Sequence, residues 1–159
     1  MTSTRDLLSR GGLRCTVQRE LIFDALAASK VHPTAEELHG MVRRSDAGGG
    51  ISLATVYNAL DAFTRHGLAR RIGPTCGGSA AAFRYDADLA NHAHVVRTDG
   101  RMEDLPRDLS ERVLARLPIE LVHEIEERMG VKVRRIAVEF VQAPSALPLN
   151  QTVHAEAGE

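Results

Sequence analysis

Apolar positions in the first half of the chain recur with helical spacing. Val17, Leu21, Ile22, Ala25 and Leu26 stand at i, i+4, i+5, i+8 and i+9, which predicts a helix with one buried stripe. Thr34 followed by Glu37 is a capping box, so a second helix is expected from Thr34 to about Arg44. The segment Ser45-Asp46-Ala47-Gly48-Gly49-Gly50 reads as a loop. A third helix follows with Ser52 as N-cap and Val56, Leu60 and Phe63 on its buried side, and Gly67 is placed to close it in the left-handed conformation. Residues 68–72 and 82–85 suit the two strands of a hairpin joined by the Gly-rich stretch from Gly73 to Ser79. Three helices and a hairpin make a winged helix-turn-helix.

The second half has a mixed pattern. His92–Val96 and Arg101–Glu103 read as short strands about a Thr98-Asp99-Gly100 turn, residues 108–129 as helix interrupted near Pro118, and residues 131–140 as a strand. The tail from Ala143, with two prolines and little apolar content, reads as disordered. The expected fold class is therefore α+β. Its expected units are residues 1–80, a winged-helix domain; 81–142, a smaller α/β domain; and 143–159, a tail.

Charge adds an asymmetry that the net value of −1 conceals. Residues 1–72 hold ten Lys/Arg against seven Asp/Glu, and residues 73–159 hold ten against fourteen. A basic front on an acidic back fits a nucleic-acid reader joined to a regulatory module. No apolar run approaches the roughly 20 residues that cross a bilayer, and the first residues carry no apolar signal core. A cytoplasmic protein with no membrane partner is expected. The two cysteines, Cys15 and Cys76, lie far apart, as in a reducing compartment.

Two groups of residues carry candidate chemistry. In a helix-turn-helix the second helix enters the major groove with its N-terminal residues at the base edges. Here that helix starts Ser52-Leu53-Ala54-Thr55-Val56-Tyr57-Asn58. Ser52 and Thr55 suit phosphate contact, Tyr57 a thymine methyl and Asn58 an adenine. The same residues also read as a cap, a packing ring and a solvated amide. The second group is Asn91-His92-Ala93-His94. On a strand, residues i and i+2 share a face, so His92 and His94 can converge on one ion. Asp86, Asp104 and His32 would complete a mixed nitrogen/oxygen set suited to Fe²⁺, Mn²⁺ or Zn²⁺. Taken alone, a His-x-His pair also reads as two solvated histidines, and His32 before a proline as a turn residue.

Three blocks alter that balance. Gly12-Leu13-Arg14-Cys15-Thr16-Val17-Gln18-Arg19, His32-Pro33-Thr34-Ala35-Glu36-Glu37 and Ile51–Leu60 together closely resemble the ferric uptake regulator (Fur) family in order and spacing, over about residues 5–142. The resemblance implies a transcriptional repressor, not an enzyme. It implies a homodimer, assembled through the rear domain, on double-stranded DNA with an AT-rich palindromic operator. It implies that Tyr57 reads bases and Arg14 approaches the minor groove. Arg19, in the first block, joins Ser52, Thr55 and Asn58 in the expected DNA-contacting set. For the regulatory metal it implies the ligands His32, Asp86, His92, His94 and Asp104, one from the front domain and the rest behind it. Binding an ion would then fix the angle between the two readers about a hinge near residues 73–83.

Asn58 and Asp104 resemble the peroxide-sensing PerR branch more than the iron-uptake branch. In that branch bound Fe²⁺ reacts with peroxide and a ligand histidine is oxidised, here His32 or His92. The chain departs from the family at the structural zinc: no cysteine follows Cys76, so a Cys₄ site cannot form. The rear domain is expected to rely instead on apolar packing by Val113, Leu114, Leu117, Leu121, Val122 and Ile125. One metal per protomer is expected, Fe²⁺ or Mn²⁺, with Zn²⁺ able to take the same place. Asp104-Leu105-Pro106 without the cysteine pair also resembles the haem-responsive Irr branch, although that branch's run of three histidines and Cys-Pro motif are missing. A metal-dependent enzyme is the third alternative; no general base or phosphate loop accompanies the cluster.

Overall fold

The computed structural model describes residues 3–45, 47–73 and 82–143. The Gly-rich connection through Ser79, Cys76, most of the expected hinge and the tail beyond Ala143 lie outside them. The front half contains four helices: α1 (Thr4–Arg10), α2 (Val17–Ala28), α3 (Ala35–Arg43) and α4 (Leu53–Arg65). Helix α1, which apolar periodicity did not indicate, is capped by Ser3 and buries only Leu8. One inward side chain in seven residues gives no periodic signal.

Each of the three longer helices starts at a hydroxyl N-cap. Thr16 accepts from the Arg19 amide at 3.3 Å, Thr34 from Glu37 at 3.2 Å and Ser52 from Thr55 at 3.1 Å. The capping box of α3 is complete, with Glu37 Oε2 accepting from the Thr34 amide at 2.8 Å. Helix α4 ends in a Schellman motif: Gly67 has φ +65°, its amide donates to the Thr64 carbonyl at 3.2 Å, and the Leu68 amide donates to Phe63 at 2.8 Å. On α2 the expected stripe shifts. Ile22, Phe23 and Leu26 are buried, whereas Val17 is 69% exposed. Val17 sits at the first helical position, before the helix reaches the core, and Phe23 meets Phe63 edge-on at 5.2 Å. Replacing Ser52 by alanine is expected to cost about 1 kcal/mol of stability, read as a shift in the urea midpoint.

The wing follows. Strands β1 (Arg70–Ile72) and β2 (Arg84–Asp86) pair antiparallel, with Arg70 opposite Asp86 and Ile72 opposite Arg84. Behind lie β3 (His94–Val96), β4 (Met102–Asp104), α5 (Arg107–Leu114), α6 (Ile119–Met129) and β5 (Glu139–Val141). The rear sheet has the order β4-β3-β5, with β4 antiparallel and β5 parallel to β3.

Three expectations change here. The first rear strand begins at His94, not His92, because the Ala93 amide turns to the Ser110 hydroxyl of α5 at 2.7 Å. The last strand covers only 139–141, because its partner β3 is three residues long and offers 131–137 no ladder. Helix α6 packs against nothing that buries it: it has no buried residue, and Ile119, Leu121 and Ile125 are 57%, 50% and 43% exposed. The front core is continuous from Leu8 to Tyr85, whereas the second buried cluster among the described residues joins Ile72 of the wing to Val96 and Met102 of the rear sheet. So small a cluster leaves most of the rear domain's apolar surface in water within one chain.

Front and rear meet along residues 31–34. The His32 amide donates to the Met102 carbonyl at 3.0 Å, and Val31 bridges to Glu103 on the outer edge of β4. On the other side, the Tyr85 amide donates to the Pro33 carbonyl at 3.0 Å.

Candidate functional site

This seam carries the five candidate ligands to one place. His32 enters from the residue before Pro33, Asp86 ends β2, His94 opens β3, and Asp104 ends β4 directly opposite His94. Ligand atoms of His32, Asp86, His92 and His94 all lie within 4.8 Å of one another. Asp104 closes the group from the rim, its Oδ1 standing 2.7 Å from His32 Nε2, 3.0 Å from His92 Nε2 and 3.7 Å from His94 Nε2. Asp86 faces them from the opposite side, with Oδ1 3.8 Å from His32 Nδ1 and Oδ2 3.3 Å from His92 Nε2.

His92 reaches the group from a loop, and not by strand alternation as its spacing suggested. Asp86 and Asp88 cap successive turns of that loop, accepting from the Asp88 amide at 2.7 Å and the Ala90 amide at 2.9 Å. Arg70 ties the same loop to β1, donating from Nη2 to the carbonyls of Asp88 at 2.6 Å and Ala90 at 3.0 Å.

The chemistry of the group is that of a cation site. Asp86 and His94 are 3% and 1% exposed, and Asp86 Oδ2, both ring nitrogens of His92 and both of His94 have no hydrogen-bond partner. His92 Nε2 is 3.0 Å from Asp104 yet misaligned for a hydrogen bond. Buried polar atoms almost always find partners, so an orphaned Asp86 oxygen and an orphaned nitrogen from each of His92 and His94, within 4.8 Å of one another, mark a place for an ion they would share. Burial, reinforced by the neighbouring imidazoles of His32 and His92, pushes the His94 pKa down to about 4 and keeps its ring neutral, as a metal ligand requires. Burial also raises Asp86, against the pull of His32, His92 and Arg70. Three imidazoles and two carboxylates fit a borderline divalent ion such as Fe²⁺, Mn²⁺ or Zn²⁺.

Three supporting residues escaped the sequence reading. Arg84 is 8% exposed and donates from Nη1 to the His32 carbonyl at 2.6 Å and to Glu37 Oε2 at 3.0 Å. Its spacing of two from Asp86 on a strand was the available signal. Arg70 and Ser110 had none, since each acts on a backbone group far along the chain.

The expected DNA-contacting residues fall into two sets. Arg14, Arg19, Thr55 and Asn58 line one groove of about 490 Å³ between the start of α2 and α4, together with Thr16, Gln18 and Ala59. Two arginines and no acid line it, and Arg19 is held in place by a 2.8 Å bond to the Arg14 carbonyl. Gln18, which suits adenine as well as Asn58 does, lines the groove beside them although the spacing of its motif gave it no role. Ser52 and Tyr57 do not line the groove. Ser52 caps α4, and the half-exposed Tyr57 donates its hydroxyl to Glu36 on α3.

Comparison with known proteins gives three findings. A family model described as the ferric uptake regulator family matches residues 10–140. The peroxide-responsive repressor PerR of Staphylococcus aureus is 36% identical over 89 residues, 56% of this chain and 56% of that protein, so the match spans little more than half the length of the curated relative. Among solved structures, the ferric uptake regulator of Pseudomonas aeruginosa with manganese is 25% identical with a TM-score of 0.61, covering 91% of this chain and 99% of that one. The Campylobacter jejuni peroxide stress regulator is also 25% identical, with a TM-score of 0.58 over 89% of this chain and 96% of that one.

Proposed function

The chain belongs to the ferric uptake regulator family, and from that premise we propose that it is a metal-dependent repressor whose single regulatory ion is held by His32, Asp86, His92, His94 and Asp104. The observation that carries this reading is the convergence of buried, unpartnered imidazole nitrogens and a buried carboxylate at the seam between two units. The winged-helix unit is residues 1–80 and the sensing unit 81–142. One ligand, His32, stands two residues before Thr34, the N-cap of α3, so holding an ion draws the helical unit onto the rear sheet. The bound geometry becomes the dominant one because the ion binds it better.

The reader is the groove of Arg14, Arg19, Thr55 and Asn58, with Ser52 and Tyr57 flanking it. Two such readers are needed for a palindrome. The exposed apolar side chains of α6 and β5, with Phe140 and Val141 at 44% and 63%, support a homodimer built on the rear domain. Selection from a random DNA pool by the Mn²⁺-loaded protein is expected to enrich an AT-rich inverted repeat. Enrichment of an unrepeated site, or none, would count against the operator assignment.

The effector is hydrogen peroxide acting at the ferrous site. Iron supplies the redox chemistry when bound; the chain's part is to hold His32 and His92 against Asp104. The Staphylococcus aureus relative and the presence of Asp104 and Asn58 support this choice. Peroxide treatment of the Fe²⁺ form, and not of the Mn²⁺ form, is expected to add one oxygen to the peptide carrying His32 or His92 and to release DNA. Unmodified histidine peptides after release would contradict it.

A further inference from the structure

An ion at His32 and a helix on DNA need a physical connection, and we infer that Arg84 and Glu37 are positioning residues that provide it. This inference rests on the function proposed above. One nitrogen of Arg84, Nη1, serves two acceptors: the carbonyl of His32 at 2.6 Å and Oε2 of Glu37 at 3.0 Å. The same Oε2 accepts from the Thr34 amide at 2.8 Å and so closes the capping box of α3. A single buried guanidinium therefore joins the backbone of a metal ligand to the first turn of a helix. Next to Glu37, Glu36 accepts the hydroxyl of Tyr57, a half-exposed residue of α4. The path runs His32, Arg84, Glu37, Glu36, Tyr57: three charge-assisted hydrogen bonds and, between Glu37 and Glu36, the helix backbone itself.

The arrangement is suited to transmit and not only to brace. Segment 31–34 is anchored behind by the His32 amide on Met102 and by the Val31 bridge to Glu103. On the other side it is held by the Tyr85 amide on the Pro33 carbonyl and by the Arg84 nitrogen on the His32 carbonyl. Nη1 carries two hydrogens, one for each acceptor, so drawing His32 toward Asp104 pulls on a guanidinium that also holds Glu37 at the start of α3.

The test compares DNA affinity with and without Mn²⁺ for the wild type, Glu37→Gln, Arg84→Lys and the double variant, with Mn²⁺ affinity titrated directly without DNA. Glutamine at 37 preserves the capping box but removes the charge paired with Arg84. In E37Q the Mn²⁺ affinity and the metal-free DNA affinity are expected to stay within about twofold, while the gain in DNA affinity on adding Mn²⁺ falls by at least about fivefold. R84K loses a similar share of the gain, and the double variant loses little more, as for two parts of one unit. A wild-type gain with E37Q retaining all of it overturns the connection and leaves the proposed function standing. Loss of Mn²⁺ affinity in E37Q by tenfold or more also overturns it, since Glu37 would then be building the site. No metal-dependent gain in the wild type overturns both. If R84K does not fold, the E37Q result decides alone.

Discussion

Replacing His94 with alanine is expected to weaken Mn²⁺ binding by at least about 100-fold and to abolish the effect of metal on DNA affinity. His94 sits at the centre of the group, 1% exposed, in register with Asp104 and edge-on to the rings of both His32 and His92 at 4.8 and 4.6 Å. Its two ring nitrogens have no protein partner, whereas a histidine buried for structure alone is held by hydrogen bonds. Removing a structural buried histidine breaks hydrogen bonds and lowers the melting temperature of the metal-free protein. Removing this one opens a cavity but also takes away two unpartnered polar atoms, and these terms oppose each other. The melting temperature of the metal-free H94A protein should therefore move little. The rise on adding Mn²⁺, worth about 2.7 kcal/mol when the ion is at 100 times its Kd, should disappear. A large fall in metal-free stability with the Mn²⁺ response intact would make His94 a packing residue.

Acidification is expected to destabilise the metal-free protein between pH 6.5 and about 4. Burial lowers the His94 pKa to about 4 from an ordinary 6.5, with the imidazoles of His32 and His92 adding to the shift. Below pH 6.5 the unfolded chain takes up a proton that the folded chain refuses, so stability falls as pH falls until the folded pKa is reached. At 1.36 kcal/mol per unit, the full window corresponds to about 3 kcal/mol. Asp86 works the other way. Burial raises its pKa, so the penalty on its carboxylate is relieved as pH falls through the raised value, which offsets part of the loss. Urea midpoints at pH 7, 6, 5 and 4 check the sum: a monotonic decline in the wild type, flattened in His94→Gln. With Mn²⁺ bound the decline should be steeper, because protons then compete with the ion for the same nitrogens. A midpoint independent of pH in this window would mean that His94 is not held neutral by the fold.

The front half was largely legible because its signals are local. Thr34 and Glu37, Ser52 and Thr55, and Gly67 each act within one turn of helix, and all three marked their boundaries where the structure has them. Helix α1 escaped because Leu8 is its only buried residue. The candidate site was legible in residue types and less so in geometry. All five residues converge, yet His92 arrives by a loop shaped by two local aspartate turns and by Arg70, whose contacts reach 18 to 20 residues along the chain. The rear half was least legible. Helical periodicity in 119–129 shows an apolar face without showing its partner, and among the described residues no side chain of that face is fully buried. Alternation in 131–140 likewise indicated a strand longer than the three-residue β3 can pair.

The central claim is that the His/Asp cluster controls DNA binding by holding an ion. It is tested most directly by titrating the full-length protein with its selected inverted repeat in excess EDTA and again with saturating Mn²⁺, occupancy being verified by direct metal titration. Affinity for the repeat should rise on metal binding by a factor of about 5 to 150, and Mn²⁺ affinity should rise by the same factor when the repeat is present. Superimposable DNA isotherms with Mn²⁺ demonstrably bound would contradict the account.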